Sequence, residues 1–234
     1  MADDKQFQRI FREGKDPHVI TGLRVKGLPE DYKFKDKKER KQIRQASKPT
    51  NFGLIYGMMP PTLKSYSEIN YGVKMTLKQA EEFREKWFSF YRQIPDWHRK
   101  SRYFLEKHGY LRSVFGRIRR LPKIYSEDKW VREQAFRTGI NFEIQGPSSD
   151  ATLLGGLNLL RDKSIKREDC RIVLFIHDAL IFEVKKDKLK EILPKIKYYM
   201  ENIPTEQFGF KLKVPLEIEV EVGDNLSEMA EVKI

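Results

Sequence analysis

Cysteine is almost missing from this chain of 234 residues: there is one, Cys170, so an internal disulfide and a zinc site built from several thiolates are both excluded. Long apolar runs are missing as well. No stretch approaches the roughly 18 to 20 residues that a membrane-spanning helix requires, and the opening MADDKQFQRI lacks the profile of a secretion signal. These gaps lead to the expectation of a soluble protein of the cytoplasm. There is no fixed-period repeat, low-complexity tract or Gly/Ser linker, which excludes solenoids and tethered arrays. Acidic residues are in deficit, 34 against 46 Lys and Arg, giving a formal charge of +12. That imbalance favours a polyanionic partner, nucleic acid ahead of an anionic membrane surface.

What the chain does contain is enough for a packed core, with 39% hydrophobic residues and 12% aromatics. Its first 110 residues or so read as helical. KQFQRIFREG and HVITGLRVKG are short helices closed by glycine, and the basic run DYKFKDKKERKQIR leads into a longer helical segment. TLKQAEEFREKWFSFYRQIP has a threonine cap, helical periodicity and a proline stop, and DWHRKSRYFLEKHG follows as another helix. YLRSVFGRIRRLP reads as two short strands around a Phe-Gly-Arg turn. SEDKWVREQAFRTGINFEIQG and PSSDATLLGGLNLLRD return to helix. RIVLFIHDALIFEV is a strand, a tight turn and a strand; KDKLKEILPKIKYYMENI is an amphipathic helix; KVPLEIEVEVG alternates as an edge strand.

Two places carry chemistry. In RQASKPTNFGLIYGM, Arg44, Lys48, Phe52 and Tyr56 recur every four residues. Four helical residues turn through about 400°, so the side chains form one slowly rotating stripe of two cations and two aromatic rings, suited to a ligand anionic at one end and flat at the other. The second place is LFIHDALIFEV, where Asp178 sits on a tight turn between two apolar strands. An aspartate there is usually a turn former. Held at a sheet rim, it is also the kind of hard oxygen ligand that Mg²⁺ uses together with phosphates, and His177 beside it could contact a phosphate or hydroxyl.

Arg44-x-x-x-Lys48-x-x-x-Phe52-Gly53-x-x-Tyr56-Gly57 resembles the fingers-helix motif B of family A DNA polymerases, and His177-Asp178-Ala179 between apolar strands is similar to their palm motif C. The order of the other segments agrees: EGKDPH ending in His18, FGRIRRLP, RTGINFEIQG and EIEVEVGDN. The resemblance implies an α+β fold, helical fingers over residues 1–109 and the later part of an antiparallel-sheet palm over 110–234. It implies that His18, Arg44 and Lys48 hold the phosphates of an incoming deoxynucleoside triphosphate, and that Phe52 and Tyr56 pack near its sugar and base. Arg137, Asn141 and Gln145, spaced i, i+4, i+8 on one helix face, would meet primer-template DNA together with His177. Asp178 would supply one of the carboxylates that hold two Mg²⁺ ions, and Lys48 would share in catalysis.

The chain departs from that family in three ways. Pro49 removes an amide within the motif B helix, so the helix is expected to begin or kink there and Arg44 to leave the regular stripe. Ala179 stands where the family most often has glutamate. No segment matches motif A, the strand that carries the family's other metal aspartate; Asp3 and Asp4 lack a hydrophobic strand to hold them. The reading that results is a C-terminal fragment or subunit of a DNA polymerase, inactive alone, completed by an upstream polypeptide bearing the thumb and motif A. A split gene in a bacterium or phage, or excision of a piece from a longer polymerase, would produce such a chain. A non-catalytic DNA-binding module on a polymerase scaffold, or part of a single-subunit RNA polymerase, are the alternatives.

Overall fold

A computed structural model describes residues 2–234. Two compact units are present: the chain up to Arg112 together with Ile118–Glu143, and Ser113–Arg117 together with Ile144–Ile234. The mixture of helices and small antiparallel ladders is the α+β fold expected.

The first unit is helical. It holds α1 (Lys5–Arg12), α2 (Pro17–Lys26), α3 (Lys37–Ile55), α4 (Pro60–Tyr71), α5 (Leu77–Phe90) and α6 (Gln93–His108). After these come β1 (Tyr110–Arg112) and β2 (Ile118–Arg120), which pair antiparallel, and the beginning of α7 (Lys129–Arg161). Four of these helices, α1, α2, α3 and α5, start where the sequence supplies an oxygen acceptor for otherwise unpaired amides. Asp4 caps α1, Asp16 caps α2, Asp36 caps α3, and Thr76 with Gln79 forms a capping box on α5. Trp87, Tyr91, Leu23, Ile43, Leu54 and Leu63 are fully buried, and Phe7 stacks on Tyr91 with ring centres 4.0 Å apart.

In the second unit, α7 continues to Arg161, followed by β3 (Cys170–Ile176), β4 (Ala179–Val184), α8 (Leu189–Glu201), β5 (Glu221–Val222) and β6 (Ala230–Glu231). The core is Leu159, Cys170, Ile192, Ile196 and Met200, with Leu180, Phe182 and Val184 against it. A side chain at Gly156 would come within 2.6 Å of Leu180 Cδ1, so this glycine lets α7 lie directly on the hairpin. Register pairs Leu174 with Ile181 and Ile176 with Ala179. These residues point away from Leu180 and Phe182, and Leu174 and Ile176 remain 45% and 48% exposed.

Three expectations are corrected. α3 runs unbroken from Lys37 to Ile55 with Pro49 inside it, so Arg44 keeps its place in the stripe. Pro49 is buried in the helix, and exposed Gln45, whose carbonyl loses its amide partner, can turn that oxygen to water. The two helices expected around Pro147 are one, α7. The expected strand KVPLEIEVEVG contributes only Glu221–Val222, paired with Ala230–Glu231; among the described residues it adds nothing to the β3–β4 ladder.

Candidate functional site

The stripe on α3 is assembled with the N-terminus of α2. The sequence Asp16-Pro17 sets this up locally, aspartate as cap and proline with its preset φ in the first turn. One oxygen of Asp16 accepts from the amides of His18 (2.8 Å) and Val19 (3.2 Å), and the other accepts from Arg44 Nε at 2.5 Å. Burial works to raise the Asp16 carboxyl, but the hydrogen bonds from Arg44 and the two amides and the guanidinium charge outweigh it, and its pKa lies below the usual value. Ser47 donates to the His18 carbonyl, which fastens the same two helices a second time.

His18 therefore sits where two cations converge. Burial pushes its pKa down; Asp16 opposes this, while Arg44 and Lys48 add to it, so the ring is held neutral at physiological pH. Phe52, 39% exposed, packs against the imidazole with ring centres 5.3 Å apart. The structure thus gathers His18, Arg44, Lys48 and Phe52 on one half-exposed face. Tyr56 caps the end of α3, and the last residue of that helix is held by His98, whose Nε2 donates to the Ile55 carbonyl at 2.9 Å. Burial lowers the His98 pKa as well. An imidazole and two cations beside an exposed ring can neutralise a polyphosphate and stack on a flat group.

Behind the stripe lies a residue that sequence reasoning passed over. Asn51, 5% exposed, bonds at once to Pro17, His18, Thr21 and Trp87. No pattern in the sequence singled it out, because Ser47 and Thr50 share the buried side of α3 with it.

At the β3–β4 hairpin, His177 and Asp178 form a two-residue turn closed by the Ile176–Ala179 pair, and His177 has a positive φ of 56°. Asp178 is exposed. The turn is anchored through its backbone to α7: Ser149 Oγ donates to the His177 carbonyl at 3.2 Å and Thr152 Oγ1 to the Asp178 carbonyl at 3.1 Å. Neither anchor was anticipated from sequence. Among the described residues no cluster of three or more His, Cys, Asp or Glu could hold a metal by itself. Asp178 fits a metal as one exposed carboxylate ligand on a rigid turn, and as no more than one.

Arg137 and Asn141 lie on the part of α7 that belongs to the first unit, Gln145 on the part that belongs to the second. Asn141 and Gln145 are exposed and Arg137 is half-buried. No helix among the described residues is long and apolar enough to cross a membrane.

The family model for DNA polymerase family A matches residues 1–228. Curated relatives include a thermostable DNA polymerase I of Thermus filiformis, 33% identical over 223 residues, which are 95% of this chain and 24% of the relative. DNA polymerase I of Deinococcus radiodurans is 33% identical over 225 residues, 96% of this chain and 21% of the relative. The chain therefore spans about a quarter of the length of the curated relatives it matches. Among solved structures, the POL domain of Pol1 from M. smegmatis in complex with DNA primer-template and dNTP is similar, with a TM-score of 0.75 and 27% identity. The match covers 92% of this chain and 35% of that one.

Proposed function

Since the chain belongs to DNA polymerase family A, we propose that it supplies the fingers and later palm of a template-directed DNA polymerase and works with an upstream polypeptide that carries the thumb and motif A. The observation that carries this reading is the joint presentation of His18, Arg44, Lys48 and Phe52 on one face, the two helices fastened by Asp16. In the reaction a primer 3′-hydroxyl attacks the α-phosphate of a deoxynucleoside triphosphate and pyrophosphate leaves. Arg44 and Lys48 neutralise charge that spreads over the phosphates, and His18 contacts the same oxygens. Phe52 and Tyr56 line the sugar and base. Arg137, Asn141, Gln145 and His177 meet the primer-template. Asp178 offers a carboxylate to Mg²⁺, which when bound would stabilise charge on the attacking and leaving oxygens.

Completion by a second polypeptide is supported by the hairpin. Among the described residues each of β3 and β4 has a single ladder partner, and Leu174 and Ile176 stand exposed on the face turned away from α7. An apolar sheet face with open edges is an association surface. The test is primer extension by this chain alone, by an upstream thumb and motif A fragment alone, and by both mixed, each with wild-type chain and with Asp178→Asn. Extension should need both polypeptides and be abolished by Asp178→Asn, which keeps the shape of the turn. Robust extension by this chain alone refutes the split reading. Failure of the assembled pair favours a non-catalytic DNA-binding role, for which Ala179 in place of a second carboxylate is the supporting observation.

A further inference from the structure

We infer that Asn51, itself oriented by Trp87, locks His18 into the tautomer whose proton is on Nε2, making the imidazole a fixed hydrogen-bond donor toward an anionic oxygen. The inference rests on the proposed function only for the identity of that oxygen, a phosphate of the triphosphate.

The donor and acceptor chemistry of its neighbours fixes the orientation of the Asn51 amide. Trp87 Nε1 can only donate, and it lies 2.7 Å from Asn51 Oδ1. The Pro17 carbonyl can only accept, and it lies 3.3 Å from Asn51 Nδ2. Turning the amide over would set donor against donor and acceptor against acceptor in a site that is 5% exposed, where water cannot compensate. Thr21 Oγ1, 2.9 Å from Oδ1, adds a second donor on the same side. With the amide orientation fixed, Nδ2 faces His18 Nδ1 at 3.0 Å. An N–H that points at a ring nitrogen requires a lone pair there, so Nδ1 is bare and the proton of the neutral ring is on Nε2. A second proton is disfavoured by burial and by Arg44 and Lys48, against the pull of Asp16. Asn51 is thus a positioning residue. Buried behind the stripe, it acts through His18 and decides whether that ring presents a donor or an acceptor.

The test is nitrogen NMR of this chain labelled at its four histidines, with the His18 resonances identified by their loss in His18→Ala. Wild-type His18 should show an unprotonated, pyridine-like Nδ1 and a protonated Nε2. In Asn51→Asp the carboxylate can only accept, so Nδ1 should become protonated. A protonated Nδ1 in the wild type overturns the inference whatever the variant does, and so does a bare Nδ1 in a folded Asn51→Asp chain. Inorganic triphosphate is then added to the wild type. A shift confined to the Nε2–H side, with Nδ1 still bare, supports the donor role. No response of Nε2 would remove His18 from phosphate contact and so refute that part of the proposed function, while the tautomer result stands on its own.

Discussion

Asp16 holds together the two helices that carry the cationic cluster, so its removal has a cost that can be worked out from the structure. Asp16→Ala deletes an N-cap that serves two amides, worth about 1 kcal/mol within a range of roughly 0.5–2. It also deletes the Arg44 ion pair, whose side chains are 38% and 22% exposed; solvent screening leaves that pair about 0.5–1 kcal/mol. The total is about 2 kcal/mol. For a chain of this size 1 kcal/mol moves Tm by roughly 2–4 °C, so a fall of about 4–8 °C is expected. Asp16→Asn separates the parts, because asparagine caps as well as aspartate but carries no charge; it should lose only the ion-pair share. The sign with pH follows from the depressed pKa. The charge-dependent stability is present above the usual carboxyl value of 3.8 and disappears as the pH falls through the lower folded value. The gap between wild type and Asp16→Ala should therefore narrow in acid. Circular dichroism melts of the three proteins at neutral and acid pH measure all of this. If Asp16→Ala melted with the wild type, or Asp16→Asn as low as Asp16→Ala, the capping account would be wrong.

Gly22→Ala should destabilise by about 1–3 kcal/mol, because its Cβ would stand 2.6 Å from Ile43 Cγ2 and 2.8 Å from the Ile43 carbonyl, a backbone atom that moves only with α3. An unchanged urea midpoint would show that α2 and α3 are not so closely packed. His98 has a folded pKa below its ordinary 6.5, so the wild type loses stability as the pH falls through that range, when the unfolded chain takes up the proton first. His98→Gln should show a flatter urea midpoint between pH 8 and 5; parallel profiles would contradict the burial account. In the assembled enzyme, Phe52→Tyr should improve acceptance of dideoxynucleotides by supplying a hydroxyl where the substrate lacks one, and identical chain-termination ratios would place Phe52 away from the sugar.

The features legible in the sequence were those whose cause is local. Thr76 is a capping signal next to the helix it starts, the stripe from Arg44 to Tyr56 follows helical periodicity, and the hairpin shows itself as two apolar runs around His177-Asp178. What escaped depends on distant partners. Pro147 after Gly146 reads as a break, yet α7 passes through it. Buried Ile140 and Phe142 before it and Thr152 and Leu159 beyond it anchor the helix on both sides, enough to offset the roughly 3 kcal/mol that an interior proline costs. The alternation of residues 217–223 records fitness for a sheet surface without naming a partner, and only two of those residues pair. Asn51 draws its partners from up to 36 positions away, beyond the reach of any spacing rule.

The open hairpin has a practical consequence for handling the protein. At low ionic strength the net charge of +12 is expected to keep copies of the chain apart and also to hold nucleic acid carried over from the cell. Salt washes are the ordinary remedy for such carry-over, since bound counterions replace the protein's contacts with phosphate. The same salt shortens the reach of the repulsion to a few ångströms and leaves Leu174, Ile176 and the unpaired strand edges free to find each other. Clean preparations of the lone chain should therefore be the ones that precipitate, and the purification that works should strip nucleic acid in dilute solution before any concentration step.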